Sequence, residues 1–127
     1  MIKKIKIDNF KSLVNFEVTL AKFTCLVGLN GAGKSTLLQA IDFLAQVMRG
    51  SLEDWLDSRE WIPSDVLCRL PERPHRRRII EFEVMLFLDG QNIIWEGRYN
   101  ADKMRCTWEL IQIAGRELLT VTDNRYR

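Results

Sequence analysis

The residues with the clearest chemistry lie in the stretch CLVGLNGAGKST, which runs from Cys25 to Thr36. Gly28, Gly33, Lys34 and Ser35 fit the pattern G-x-x-x-x-G-K-[ST]. A triphosphate presents many anionic oxygens to a small loop. Backbone N–H groups must converge on those oxygens, and side chains must stay clear of them. Gly28, Gly31 and Gly33 allow that approach, with Asn30 and Ala32 between them. Lys34 is placed to reach the β- and γ-phosphates, and Ser35 to put its hydroxyl on Mg²⁺. Thr36, one residue on, would face the α-phosphate. The pattern therefore points to nucleoside triphosphate bound with Mg²⁺, held by Asn30, Gly31, Ala32, Gly33, Lys34, Ser35 and Thr36.

Such a loop works only between a buried strand and a helix. Phe23 to Val27 is a short, nearly continuous apolar run, as suits a strand covered on both faces. Beyond the loop, Leu37, Ile41, Leu44 and Met48 recur at helical spacing, widened by Leu38 and Ala45. This predicts a helix from about Lys34 to Arg49, closed by Gly50. Upstream, Ile5 and Ile7 alternate with lysines in a first strand. Asn9 to Leu13 reads as a turn. Phe16, Val18 and Leu20 mark a second strand able to pair with the first.

Ser51 opens a second helical piece, with Ser51 and Asp54 resembling a capping box and Trp55, Leu56 and Trp61 on its inner side. Pro63, Pro71 and Pro74 break up the segment beyond it, and Ser64 is a candidate cap for one more turn. From Ile79 the period becomes two. Ile80, Phe82, Val84, Leu86 and Leu88 alternate, Asp89-Gly90 signals a hairpin, and three further runs come after it. The expectation is an α/β fold: a phosphate-loop strand-helix unit joined to an antiparallel meander. It divides into a ribbon, loop and helix over 1–50, a partly helical excursion over 51–78, and the meander over 79–122, all in one partial domain of 127 residues. The last residues read as a polar tail.

Composition excludes other classes. Apolar residues make up 46% and charged residues 28% of the chain, which argues against disorder. No apolar run approaches the roughly 20 residues of a membrane span. Three cysteines at unrelated spacings form neither a disulfide framework nor a zinc pattern, so a reducing cytoplasm is the expected setting. A net charge of +2 names no partner.

The run Asn30-Gly31-Ala32-Gly33-Lys34-Ser35-Thr36 resembles the N-G-x-G-K-S/T habit of the ABC-type ATPases. The opening, IKIDNFKSLVNFEVTL…FTCLVGLNGAGKSTLLQAIDFL, looks like the N-terminal lobe of the RecF/SMC-like and OLD-like (AAA family) ATPases. Members of that group open with a strand, an N-F-[KR]-S-[LF] turn, a second strand and the phosphate loop. The likeness covers residues 1 to about 48. It implies ATP and Mg²⁺ as ligands, and a part in DNA repair, recombination or phage defence. It also implies that the turn approaches the nucleotide, which makes Lys11 and Ser12 candidate contacts.

The same resemblance defines what these residues lack. No Asp-Glu pair ends an apolar strand, and no L-S-G-G-like loop is present. The nearest Walker B candidate, Leu86 to Asp89, continues into Gly90 and reads better as a hairpin. The single histidine, His75, lies among arginines. Neither Gln91 nor Gln112 is assignable as a lid glutamine. The catalytic set is incomplete, so hydrolysis is expected only with a C-terminal lobe supplied by a longer chain or another subunit. Uncovered apolar surface on the helix makes self-association a further expectation. A stand-alone, non-hydrolysing nucleotide-binding or interaction module is the alternative. A transporter ATPase fits the N-F-K-S-L opening less well.

Other features have plainer readings. Arg76, Arg77 and Arg78 could grip a nucleic-acid backbone, but the nearly balanced charge favours a solvated connection. Lys3, Lys4, Lys6 and Lys11 read as the wet face of an edge strand. Trp95 and Trp108 are candidates for a cross-strand pair, and Cys25 for inert packing in the buried strand.

Overall fold

The computed structural model describes residues 1–21, 34–70, 78–122 and 125–126. The first two strands are β1 (Ile2–Asp8) and β2 (Phe16–Thr19). Helices α1 (Lys34–Arg49) and α2 (Leu52–Ser58) come next, then a 3-10 turn at Pro63–Val66. The meander comprises β3 (Ile79–Leu88), β4 (Gln91–Asn100), β5 (Arg105–Ile113), β6 (Arg116–Thr122) and β7 (Arg125–Tyr126). All seven form one sheet in the order β2-β1-β3-β4-β5-β6-β7, with every adjacent pair antiparallel.

Register assigns the faces. Ile5 lies opposite Val84 and Ile7 opposite Phe82, while Ile80, Phe82 and Val84 lie opposite Tyr99, Gly97 and Trp95. These residues share one face because side chains alternate along a strand. All of them are buried, and the two helices pack on that face. Phe43 of α1 is the centre of the packing. Its ring lies 5.1 Å from Phe10, 5.1 Å edge-on from Tyr99 and 6.3 Å from Trp55. Further along the sheet the Phe82 ring lies across Gly97 and meets Trp95 at 4.5 Å. A Cβ at Gly97 would stand 2.2 Å from the tip of that ring, so the close approach requires glycine.

The helix and meander boundaries match the periodicity closely, but several finer expectations are corrected. The buried arc of α1 is Leu37, Ala40, Phe43 and Leu44, while Leu38 and Met48 are 59% and 61% exposed. The aromatic nest around Phe43 turns the helix away from the stripe that spacing alone suggests. Gly50, at φ +72°, does close α1: its N–H reaches Val47 O and the Ser51 N–H reaches Gln46 O, the paired bonds of a Schellman motif. Ser51 makes no capping box with Asp54. Its hydroxyl donates to Gln46 Oε1 instead. The cap of the 3-10 turn is Asp65, whose carboxylate accepts the Ile62 N–H at 2.8 Å, and not Ser64. Strand β1 is not an edge. It lies between β2 and β3, because the meander returns beside it. Trp95 faces Ile111, and Trp108 faces Arg98, so the two indoles do not pair. Part of the polar tail is strand, since Arg125 and Tyr126 pair with Thr122 and Val121. Phe23 to Val27, including Cys25, and His75 lie outside the described residues.

Candidate nucleotide site

Lys34, Ser35 and Thr36 form the first turn of α1. Lys34 and Thr36 are half-buried and Ser35 is exposed. The first N–H groups of a helix have no partner within it, and they sit at the positive end of its dipole. Nothing in the first turn offsets that end, because it holds no acidic residue, and the basic Arg49 sits in the last turn. Gly28, Asn30, Gly31, Ala32 and Gly33 lie outside the described residues.

Three devices hold α1 in place behind that turn. The first is the aromatic nest of Phe43, and the second is the Gly50 closure. The third is Asp42. Its carboxylate accepts the Gln46 amide at 3.1 Å, the Trp55 indole N–H at 2.8 Å and the Arg59 guanidinium at 3.1 Å. The Gln46 bond above all, then the Trp55 bond, holds this carboxyl below the ordinary aspartate range. The Asp42–Gln46 spacing of four was visible in the sequence. Its partners Trp55 and Arg59 were not, because they meet it only through the chain reversal at Gly50.

The turn Asn9–Leu13 is anchored to β3, to the 3-10 turn and to the residues after it. Asn9 is buried, and its amide donates to Ile79 O at 2.9 Å. The Lys11 N–H donates to Val66 O at 2.9 Å, and the Cys68 N–H to Asn9 O at 3.1 Å. Lys11 extends over Trp61, its ammonium 3.6 Å from the ring centroid, and Ser12 is exposed. Arg78 grips Asp102 through Nε and a terminal nitrogen at 2.9 and 2.7 Å. That ion pair raises the guanidinium's pKa. Arg76 and Arg77 lie outside the described residues.

Other polar groups do not assemble a catalytic set. Asp89 stands in the β3–β4 turn with φ +51°, as a hairpin requires. Burial pushes the Cys106 thiol up to about 12, so it stays protonated and is a poor nucleophile. The Tyr99 hydroxyl is buried with no hydrogen-bond partner among the described residues, and burial raises its pKa as well. A hollow of about 370 Å³ on the outer sheet face is lined by Lys6, Glu17, Glu81, Glu83, Glu96 and Trp108, among others. Among the described residues no group of three or more His, Cys, Asp or Glu side chains could hold a metal, and no helix is long and apolar enough to cross a membrane.

Comparison with known proteins accords with this geometry. The profile of the AAA ATPase domain family matches residues 1–104. The OLD nuclease of Thermus scotoductus is 35% identical over 65 residues, which cover 51% of this chain and 12% of that protein. The DNA double-strand break repair Rad50 ATPase of Methanococcus maripaludis is 40% identical over 52 residues, 40% of this chain and 5% of that protein. A solved structure of the recombination mediator protein RecF-ATPrS of the RecFOR pathway shares the fold at a TM-score of 0.54 and 22% identity. It covers 93% of this chain and 28% of its own. These define the class as an ABC/SMC-like ATPase N-terminal region, as the resemblance of residues 1–48 implied. The chain belongs to the AAA ATPase domain family. It spans about an eighth or less of the length of these two curated relatives.

Proposed function

We propose that this chain binds ATP and Mg²⁺ as the N-terminal lobe of an ABC-type ATPase, and that hydrolysis needs a second lobe. The observation that carries the reading is the first turn of α1: Lys34, Ser35 and Thr36 in a turn that holds no acidic residue, directly after a glycine-rich run of sequence. In this reading the N–H groups of Asn30 to Gly33 and of the first turn hold the phosphates. Lys34 neutralises the β- and γ-phosphates, Thr36 lies by the α-phosphate, and the Ser35 hydroxyl ligates Mg²⁺. Bound Mg²⁺ would draw charge from the phosphate oxygens. These residues include no acid to orient a water. The lobe therefore holds ATP where another segment must act on it.

The names of the relatives support DNA repair, recombination or phage defence as the setting, with DNA as a partner of the assembled protein. The unpaired thiols of Cys68 and Cys106 support a reducing, cytoplasmic one. The exposed Leu38 and Met48 on α1 support completion of that face by the second lobe or another chain, self-association included. Sedimentation as a clean monomer at high concentration would count against self-association.

The test is titration with ATP, ADP and GTP in Mg²⁺. Lys34→Ala is expected to weaken ATP binding by roughly 10- to 100-fold, the loss of hydrogen bonds from a charged donor. If the unaltered protein fails to bind ATP even with a C-terminal lobe supplied, the reading is wrong. A steady ATPase turnover by the purified chain alone, abolished by Lys34→Ala, would overturn its non-hydrolytic part.

A further inference from the structure

A cavity of about 360 Å³ lies where the last turn of α1 and the start of α2 meet β4 and β5. That volume is at the small end of ligand-sized pockets. Val47, Leu52, Met104 and Val121 give it an apolar lining, and Tyr99, Cys106 and Glu109 bring polar atoms to it. The nucleotide reading uses none of these residues. Lys34, Ser35 and Thr36 stand at the opposite end of the same helix.

Tyr99 is 1% exposed, and among the described residues its hydroxyl is the one buried side-chain oxygen or nitrogen with no hydrogen-bond partner. Such orphans are rare because burying a hydroxyl unpaired is costly. The strand register produces this one. Gly97 pairs with Glu109 and Arg98 with Trp108, but Tyr99 pairs with Cys106, which leaves Thr107 as an extra residue. In an unbroken ladder Thr107 would stand opposite Tyr99. The bulge brings Cys106 there instead, and the Thr107 hydroxyl donates to Arg98 O at 3.5 Å. A protein hydroxyl is thus turned away and a thiol, a weak partner, takes its place. Cys106 acts on the Tyr99 hydroxyl and itself lines the cavity, so the hydroxyl end of Tyr99 is the end that borders it. Glu109 accepts the Trp95 indole N–H through Oε1 at 3.0 Å, and its second oxygen has no partner among the described residues. The lining therefore offers one unused donor and one unused acceptor. It also carries both signs of charge, Glu53 and Glu109 against Arg105, which suits a neutral ligand.

We propose that this cavity binds a small neutral amide, with the Tyr99 hydroxyl donating to its carbonyl oxygen and Glu109 accepting its N–H. Val47, Leu52, Met104 and Val121 hold the apolar part of the ligand. The Tyr99 oxygen is closed off from solvent, so bulk water does not supply the missing bond. The ligand reaches it as Met104 gives way, an unbranched side chain that readily changes shape.

The test follows the Met104 methyl resonance, assigned by its loss in Met104→Leu, during titration with benzamide. A saturable shift is expected. Tyr99→Phe should weaken the apparent affinity roughly 2- to 10-fold, the loss of one neutral hydrogen bond. It should not lower the melting temperature, because it removes an unpaired polar group and leaves the ring in place. Glu109→Gln should also weaken benzamide binding. Acetophenone, which keeps the carbonyl and lacks the N–H, should bind less tightly than benzamide and be indifferent to Glu109→Gln. The absence of a saturable shift would overturn the proposal, and so would equal affinity in Tyr99→Phe. Acetophenone binding as tightly as benzamide would overturn it too, since the N–H would then go unread. A fall in melting temperature in Tyr99→Phe would do the same, by showing that the hydroxyl is already satisfied. None of these readings involves a nucleotide, so failure here leaves the nucleotide reading standing.

Discussion

The two faces of the sheet use the same strands for opposite purposes. The inner face, from Ile5 and Ile7 through Phe82 and Val84 to Trp95 and Tyr99, is closed under α1 and α2 by interlocked rings. The outer face carries Lys6, Glu81, Glu83, Glu96 and Arg98 around an open hollow. Glu83 even stands directly opposite Glu96, a like-charged cross-strand pair. One residue of slip in register would exchange the faces. Stability is therefore concentrated on one side, and the other is left free for charge. Substitutions should be costly inside and cheap or even favourable outside.

The largest effect is expected at Phe43. Phe43→Ala removes the ring shared by Phe10, Trp55 and Tyr99 and should cost about 3–5 kcal/mol in urea unfolding. A loss under about 1 kcal/mol would break the contrast between faces. Next is Gly97→Ala, which drives a methyl into the Phe82 ring and should cost about 1–3 kcal/mol by the same measurement. On the outer face, Glu96→Lys replaces a repulsive pair with an attractive one. It should raise stability by about 0.2–1 kcal/mol, a gain that fades in high salt. The smallest effect concerns pH. The folded Asp42 carboxyl titrates below its unfolded value, so its stabilisation is complete above the ordinary aspartate pKa of about 3.9 and is lost as pH falls through the folded value. The difference in melting temperature between the unaltered protein and Asp42→Asn should accordingly be constant near pH 6 and close in more acid solution. It should stay small, because the Asp42 side chain is 39% exposed.

Much of the architecture was legible. The change of period at Ile79, the Asp89-Gly90 hairpin and the Gly50 closure could all be read because each depends on neighbours in the chain. Spacing was less informative where the decisive partner was distant. Met48 belongs to the helical stripe and Leu38 widens it, yet both lie outside the aromatic nest, and β1 became an interior strand because β3 returns beside it. At the candidate site, Lys34, Ser35 and Thr36 were recognisable from type and order. That Lys11 rests on Trp61 was not, since fifty residues separate them.

By itself, then, the sequence determined the local chemistry: a glycine-rich run followed by the helix period of α1, and a two-residue period with its turns. Each of these is set by backbone geometry within a few residues. Only the tertiary structure decided which face of α1 is buried, what holds Asp42, and where the Lys11 charge comes to rest. Those outcomes depend on which distant side chains fill the same space.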